Sequence, residues 1–345
     1  MNTLTNPYRG NGLRHPDLAD VPWPATDPAR VQALLAHCPH AGETPLVRAP
    51  ALAKGLGPGT LWIKDERGRM GLGSFKALGA AFVIACDAEA GEAKGRTYVT
   101  ASAGNHGLSV AAGAAAFGAC AVVFLSDTVP EAFADRLRAQ GAEVARAGAT
   151  YEASMAAAEE AASLNGWELL SDSSWPGYMA RPLVLMEGYL ALMAEVEQQV
   201  PAPPDWVFLQ AGVGGLAGAA AARARSAWGA APRIVVVEPE AAPALFGSIA
   251  KGAPVTTDGP VSAMGRLDCK TPSLIALKGL ARDADHFVTV SESEGRRGAE
   301  MARAAGLATT PSGAAGLAGL AAHGAALGVA PDDNVLLILS EGPEA

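Results

Sequence analysis

Asp205-Trp206-Val207-Phe208-Leu209-Gln210, followed by Ala211-Gly212-Val213-Gly214-Gly215-Leu216 and then Ala217-Gly218-Ala219-Ala220-Ala221, reads as a buried strand, a glycine loop and a helix. A continuous apolar run of strand length feeding a helix through glycines is the signature of a strand covered on both faces, and so of an α/β fold with mainly parallel sheets. The rest of the chain repeats the pattern, alternating short β-branched runs with alanine-rich helical stretches. Strands are predicted at Thr97 to Thr100, Ala121 to Leu125, Val207 to Gln210, Ile234 to Val237 and Val335 to Leu339. Helices are predicted at Asn105 to Phe117, Pro130 to Gln140, Tyr151 to Ser163 and Ala180 to Val200. Pro130 suits a first helical turn, where its missing N–H would be unpaired anyway. Pro201-Ala202-Pro203-Pro204 closes the last helix and leads into the strand of the glycine loop.

The glycine loop has two readings. It is a tight turn that needs positive φ, or it presents unpaired N–H groups and the positive end of a helix dipole to a phosphate. Neither the Walker A pattern nor the dinucleotide spacing is met in its required context. Two further glycine-punctuated segments stand earlier in the chain, Ser74-Phe75-Lys76-Ala77-Leu78-Gly79-Ala80 and Ser102-Ala103-Gly104-Asn105-His106-Gly107. A lysine between small residues at a helix start is sterically open to form a Schiff base with a carbonyl. Read alone, it is as well explained by a side chain that snorkels to water. An aldehyde, a ring hydroxyl and a phosphate together describe pyridoxal 5'-phosphate.

The 345 residues are 50% hydrophobic and carry a formal charge of −9, enough length for two domains around a core. With no basic cluster interleaved with aromatics, no nucleic-acid partner is expected. The N-terminal stretch lacks the apolar core of a signal peptide, and the alanine-rich runs are interrupted before they reach membrane-spanning length, so a cytoplasmic protein without a membrane partner is expected. Cys38, Cys86, Cys120 and Cys269 are scattered without Cys-x-x-Cys spacing, which argues against disulfides or zinc and for small buried hydrophobes. His37 and His40 bracket Cys38 without a further clustered ligand, so this reads as a loop.

The three segments, in this order and wording, resemble the fold type II pyridoxal-phosphate enzymes, the tryptophan synthase β-like group that holds threonine and serine dehydratases, serine racemase and cysteine synthase. The resemblance runs from Thr44-Pro45-Leu46 to the last residues. Leu170-Ser171-Asp172-Ser173-Ser174-Trp175-Pro176-Gly177-Tyr178, the glycine loop and Leu339-Ser340-Glu341-Gly342 look more like diaminopropionate ammonia-lyase than like the threonine dehydratases. The resemblance implies two open, mainly parallel sheets with flanking helices. It implies a small domain at 97–175 and a large cofactor-binding domain at 1–96 and 176–345, with the active site between them. A homodimer is expected, and no C-terminal regulatory domain.

On that resemblance Lys76 holds the cofactor and later removes the α proton. Phe75 either packs beneath the cofactor ring or is a plain core residue. Asn105 bonds the ring hydroxyl, Gly212, Val213, Gly214, Gly215 and Leu216 cradle the phosphate, and the backbone of Ser102, Ala103, Gly104, Asn105 and His106 receives the substrate carboxylate. His106 is either an acid or a packing residue of its loop. Ser340 faces the pyridine nitrogen, or simply caps a strand end. Asp172 stands where the ammonia-lyase has an acid–base aspartate, and an amine leaves only when protonated. Ala103 departs from that enzyme, whose aspartate there is thought to serve the D-isomer, so action on L-substrates is expected. Glu238 matches a cation-ligand position of serine racemase, but the second carboxylate falls on Ala244, and no metal is expected. The implied activity is α,β-elimination on a β-substituted L-amino acid in amino acid metabolism, giving a 2-oxo acid and ammonia. The leaving group is hydroxide or an amine. β-Replacement of the cysteine synthase type and a non-catalytic cofactor-binding protein are the rivals.

Overall fold

The computed structural model describes residues 2–343. Its strands are β1 (Thr3–Thr5), β2 (Leu46–Arg48), β3 (Thr60–Asp65), β4 (Thr97–Ala101), β5 (Cys120–Leu125), β6 (Glu143–Arg146), β7 (Glu168–Leu169), β8 (Trp206–Gln210), β9 (Arg233–Pro239), β10 (His286–Val290) and β11 (Asn334–Leu339). They form a seven-stranded sheet in the order β1-β10-β9-β8-β11-β3-β2 and a four-stranded sheet in the order β6-β5-β4-β7. The smaller sheet is parallel throughout. The larger is parallel from β10 to β3, and its two edge strands, β1 and β2, run antiparallel.

Each central strand of the larger sheet divides its side chains between two layers. Val207, Leu209, Ile234, Val236, Leu336 and Ile338 pack with the helices Gly215–Trp228 and Leu274–Asp283, whereas Phe208, Val235, Val237, Leu337 and Leu339 pack with the helix Ala315–Leu327. Burial on both faces is why these strands read as unbroken apolar runs rather than alternating ones. β1, β2 and β7, only two or three residues long, carry no period that a sequence could reveal.

Most element ends shift by one or two residues from the sequence expectation, and two of the differences have a clear local reading. Pro130 is the N-cap of the helix Glu131–Ala139, one place before its first turn. The stretch expected as one helix from Ala180 to Val200 is two, Ala180–Gly188 and Leu190–Gln199, divided at Tyr189. The division lies where this stretch crosses the helix Lys76–Glu89. A Cβ on Gly188 would sit 2.5 Å from the carbonyl oxygen of Leu78, so two backbones touch at that point.

The topology collects the motifs at one edge. β8 runs into the glycine loop, β11 into Ser340 and Glu341, β4 into the Ser102–Gly104 turn, and β7 into the segment that ends at Asp172. All four are carboxyl ends of parallel strands, where open α/β sheets place their ligands. Among the described residues no helix is long and apolar enough to cross a membrane.

Candidate active site

Lys76 is the first residue of its helix, and its N–H is satisfied by the Ser74 hydroxyl at 3.3 Å, so its side chain leaves the helix at the mouth rather than along the flank. Nζ donates to Asp172 Oδ2 at 2.5 Å, with each side chain about four-fifths covered. Burial pulls the lysine down, but the carboxylate of Asp172 outweighs it and holds the ammonium well above its ordinary range. Burial likewise pushes Asp172 up, and the Lys76 charge overrides it, keeping the carboxyl well below the usual range. The two residues, 96 positions apart in sequence, thus fix each other's charge.

The ammonium lies in an aromatic corner, 5.1 Å from the ring centre of Phe75 and 5.8 Å from that of Tyr189. Phe75 and Tyr189 meet edge to face at 4.9 Å. Tyr189 is fully buried, and its hydroxyl has no hydrogen-bond partner.

The glycine loop makes the tight turn, and the helix after it begins with N–H groups free of intrahelical bonds. Gly214 has φ of +98°, and a Cβ there would lie 2.9 Å from Ala276 Cβ and 3.0 Å from Leu245 Cδ1. The first intrahelical bond is Gly218 N–H to the carbonyl of Gly214 at 2.8 Å, so the N–H groups of Gly215 to Ala217 belong to the unpaired first turn of their helix. A chain of hydrogen bonds locks this loop to the Asp172 segment. Ser273 N–H donates to the Val213 carbonyl (3.0 Å), the hydroxyls of Ser273 and Ser174 share a bond of 2.7 Å, and Ile275 N–H donates to Ser174 Oγ (3.0 Å).

Asn105 begins the helix Asn105–Ala116 after Gly104, whose N–H meets Ser102 Oγ at 3.3 Å. Ser109, one turn on, donates to the Lys76 carbonyl at 2.7 Å and ties this helix to the lysine helix. His106 is buried, with Nε2 2.8 Å from the Leu170 carbonyl and Nδ1 without a partner. Burial holds its pKa below the ordinary value and favours the neutral ring, which points to a loop-fixing role. Ala103 presents its carbonyl to Arg266 NH1 at 2.9 Å.

Like Tyr189, Glu341 had no assigned role in the sequence. Glu341 follows Ser340, whose own carbonyl accepts from Phe75 N–H at 3.1 Å. The Glu341 carboxylate accepts from Asn105 Nδ2 and from the Thr310 hydroxyl, and lies 3.8 Å from Arg266 Nε. A cleft of about 300 Å³, lined by Arg266, Thr309, Thr310 and Ser312 among others, adjoins it. The only sequence signal was the Ser-Glu-Gly wording itself, because contact with Asn105 is made across 236 residues.

Glu238 accepts from the N–H groups of Leu245 and Phe246 at 2.8 and 2.7 Å, capping the helix Ala244–Lys251. The cysteines are not the buried hydrophobes expected. Cys120 is exposed and the other three are half-buried. Cys269 packs on the glycine loop, where a Cβ on Gly212 would be 3.0 Å from its sulfur, and burial pushes the thiol up to about 12.

A family model described as pyridoxal-phosphate dependent enzyme matches residues 38–341. The chain is 30% identical to a diaminopropionate ammonia-lyase of Salmonella typhimurium over 294 residues, 77% of this chain and 73% of that protein. It is 28% identical to a human serine dehydratase-like protein over 252 residues, 73% of each. The solved diaminopropionate ammonia lyase of Escherichia coli in complex with an aminoacrylate–PLP azomethine reaction intermediate superposes with a TM-score of 0.87 at 26% identity, covering 99% of this chain and 93% of that one.

Proposed function

The chain belongs to the pyridoxal-phosphate-dependent enzyme family, and from that premise we propose that its substrate is an L-amino acid with an amino group on the β carbon, of the 2,3-diaminopropionate type. The protein is a fold type II pyridoxal-phosphate lyase that eliminates ammonia from β-substituted amino acids. Its residues fit the cofactor: a lysine amine held by Asp172 beside the carboxyl ends of the strands, and a glycine turn that opens a helix with unpaired N–H groups. Lys76 holds the aldehyde, Gly212 to Leu216 the phosphate, and Asn105, backed by Glu341, the ring hydroxyl, with Phe75 beneath the site and Ser340 at the ring edge. When bound, the cofactor supplies the electron sink that makes the α proton acidic.

The backbone of Ser102 to His106, at the start of the asparagine helix, receives the substrate carboxylate. The neutral amine of Lys76 takes the α proton. The observation that carries the β-amino reading is the Asp172–Lys76 pair. Against burial, the charge and hydrogen bond of Lys76 do most to keep Asp172 ionised, so when the amine of Lys76 is engaged elsewhere the carboxyl rises and can hold a proton for the departing amine. A β-hydroxy amino acid is the second reading, favoured by Ala103, which gives the asparagine loop no carboxylate of its own. On this reading 97–175 forms the small half and 1–96 with 176–345 the large half, and the protein is a cytoplasmic homodimer. Light scattering and fractionation test the last two points.

The deciding assay presents L-serine, L-threonine, L-phenylserine and both isomers of diaminopropionate to the loaded enzyme and measures oxo acid and ammonia. The highest kcat/KM is expected for L-diaminopropionate. A clear preference for the hydroxy substrates, or equal use of the D-isomer, overturns the corresponding part of the reading. Borohydride reduction with peptide mapping is expected to place the cofactor on Lys76.

A further inference from the structure

Tyr189 owes its place to the break between two helices. Its ring is clamped from both sides: a Cβ on Gly79, in the lysine helix, would lie 2.7 Å from Cε1 and 2.9 Å from Cζ, and one on Gly215, at the glycine loop, 3.5 Å from Cε2. Phe75 closes a third side edge to face. A ring so held cannot swing its hydroxyl to a better place, yet the hydroxyl is buried and in hydrogen-bond geometry with no group, although it is near enough to feel the Lys76 ammonium. Phenylalanine would fill the same space without stranding a polar group, so the oxygen calls for a partner that comes and goes. Lys76 supplies one. Its ammonium has three donor hydrogens, and Asp172 takes one. Nζ already lies 5.8 Å from the centre of the Tyr189 ring, on a stem with four rotatable bonds.

We propose that Tyr189 is a positioning residue, whose hydroxyl oxygen accepts a hydrogen from the Lys76 amine when Asp172 turns to the leaving group, and so keeps Nζ aimed at the substrate α carbon. Two partners then serve one amine in alternation: the carboxylate holds it at rest, and the phenol holds it while the carboxyl is in use. No bond other than hydrogen bonds is made or broken at Tyr189, and it gives up no proton. Burial pushes the phenol up to about 12, so it stays neutral through the working range. The titratable groups that face Lys76 are Asp172, Tyr189, His106, Cys269 and Tyr151. The proposal rests on the reading of Lys76 as the base.

The test is Tyr189→Phe in the full chain. In the loaded enzyme kcat is expected to fall by about tenfold to a hundredfold with KM within about twofold, the size of a misplaced catalytic group. Loss of an acceptor favours the neutral amine, so the acid limb of kcat against pH is expected to move to lower pH. In the cofactor-free protein carrying Asp172→Asn, which frees the amine from its carboxylate, Tyr189→Phe is expected to move the pH dependence of Lys76 labelling by formaldehyde and cyanoborohydride the same way. Wild-type profiles in both experiments overturn the proposal. Weaker cofactor binding with unchanged profiles also overturns it, by giving the hydroxyl to the phosphate. Site-specific 3-fluorotyrosine, a poorer acceptor of nearly the same size, is expected to shift both profiles in the same direction even if the phenylalanine variant loads poorly. Failure of borohydride to trap the cofactor on wild-type Lys76 counts against the parent reading instead, and the labelling of the cofactor-free protein still decides the Tyr189 contact.

Discussion

A lysine and an aspartate each pushed by burial toward neutrality, and each kept charged by the other, make a site whose electrostatics change as soon as one of them is engaged. Because Asp172 is depressed and Lys76 raised, the pair stabilises the cofactor-free fold between their unfolded values, roughly pH 4 to 10. That contribution is lost as pH falls through the depressed pKa of Asp172 and as it rises through the raised pKa of Lys76. Asp172→Asn removes one side. The cofactor-free variant is expected to lose about 2–3 kcal/mol in urea unfolding near neutral pH, less than a fully buried pair because each side chain is about one-fifth exposed. Lys76, left with burial and only the weaker pull of Tyr189 and Cys269, is expected to become reactive toward aldehydes at lower pH. Turnover is expected to fall by about a hundredfold or more if the carboxyl is the acid, and further for an amine than for a hydroxyl leaving group. A variant that keeps its turnover of diaminopropionate removes Asp172 from the chemistry. Lys76 drew notice as a lysine between small residues at a helix start, and the resemblance to a known family supplied the roles expected of it, of Asn105 and of Asp172. The Glu341–Asn105 and Tyr189–Lys76 relations were not legible, because they join elements whose proximity is set by sheet order and by a helix break.

The elements explain why glycines crowd this site. Gly79, Gly188 and Gly218 sit where helices or side chains touch with no room for a methyl group or little to spare, and Gly214 alone among the loop glycines has a positive φ. Sequence reading marked the loop from its strand-loop-helix context, and the structure shows that its one positive φ falls on Gly214, at the residue that opens the following helix. The division at Tyr189 was missed although Gly188 stands beside it, because a single glycine does not by itself end a helix and the close contact that does lies about 110 residues earlier, at Leu78. Gly214→Ala puts a side chain at φ of +98° and against Ala276 and Leu245. It is expected to cost about 2–4 kcal/mol in urea unfolding, and to weaken cofactor binding by more than tenfold, read by equilibrium dialysis, as the first-turn N–H groups lose their aim. Gly218→Ala, which meets Met186 Cε at 3.0 Å and Ala276 Cα at 3.3 Å outside the loop, is the control. It is expected to lower stability with a smaller effect on cofactor affinity. Equal losses of affinity would mean that the loop acts only through the fold.

Across the whole molecule, a buried ion cluster anchors the second of the two helices that meet at Tyr189. Lys64 Nζ, fully buried on β3, donates to Glu195 Oε2 (2.6 Å), to the Thr44 carbonyl (2.7 Å) and to Gln199 (3.0 Å), while Arg69 grips both Glu195 and Glu66. Glu195 and Gln199 lie on the helix Leu190–Gln199, so the cluster pins that helix to the larger sheet behind the site. Glu195→Gln leaves Lys64 as a buried cation without its carboxylate. The expected cost is about 3–5 kcal/mol in urea unfolding at neutral pH. Burial already holds Lys64 below its ordinary value, and removal of the carboxylate lowers it further. The unfolded chain, with Lys64 near 10.5, then binds more protons than the folded one, so stability rises with pH. The deficit of Glu195→Gln is therefore expected to shrink between pH 7 and about 9.5, opposite to the behaviour of a variant that merely loses packing. Adding Lys64→Met removes the charge that needed a partner. The double variant is expected to recover part of the loss and to show no such slope. A deficit that is constant with pH and untouched by Lys64→Met would mean that Glu195 works through Arg69 alone.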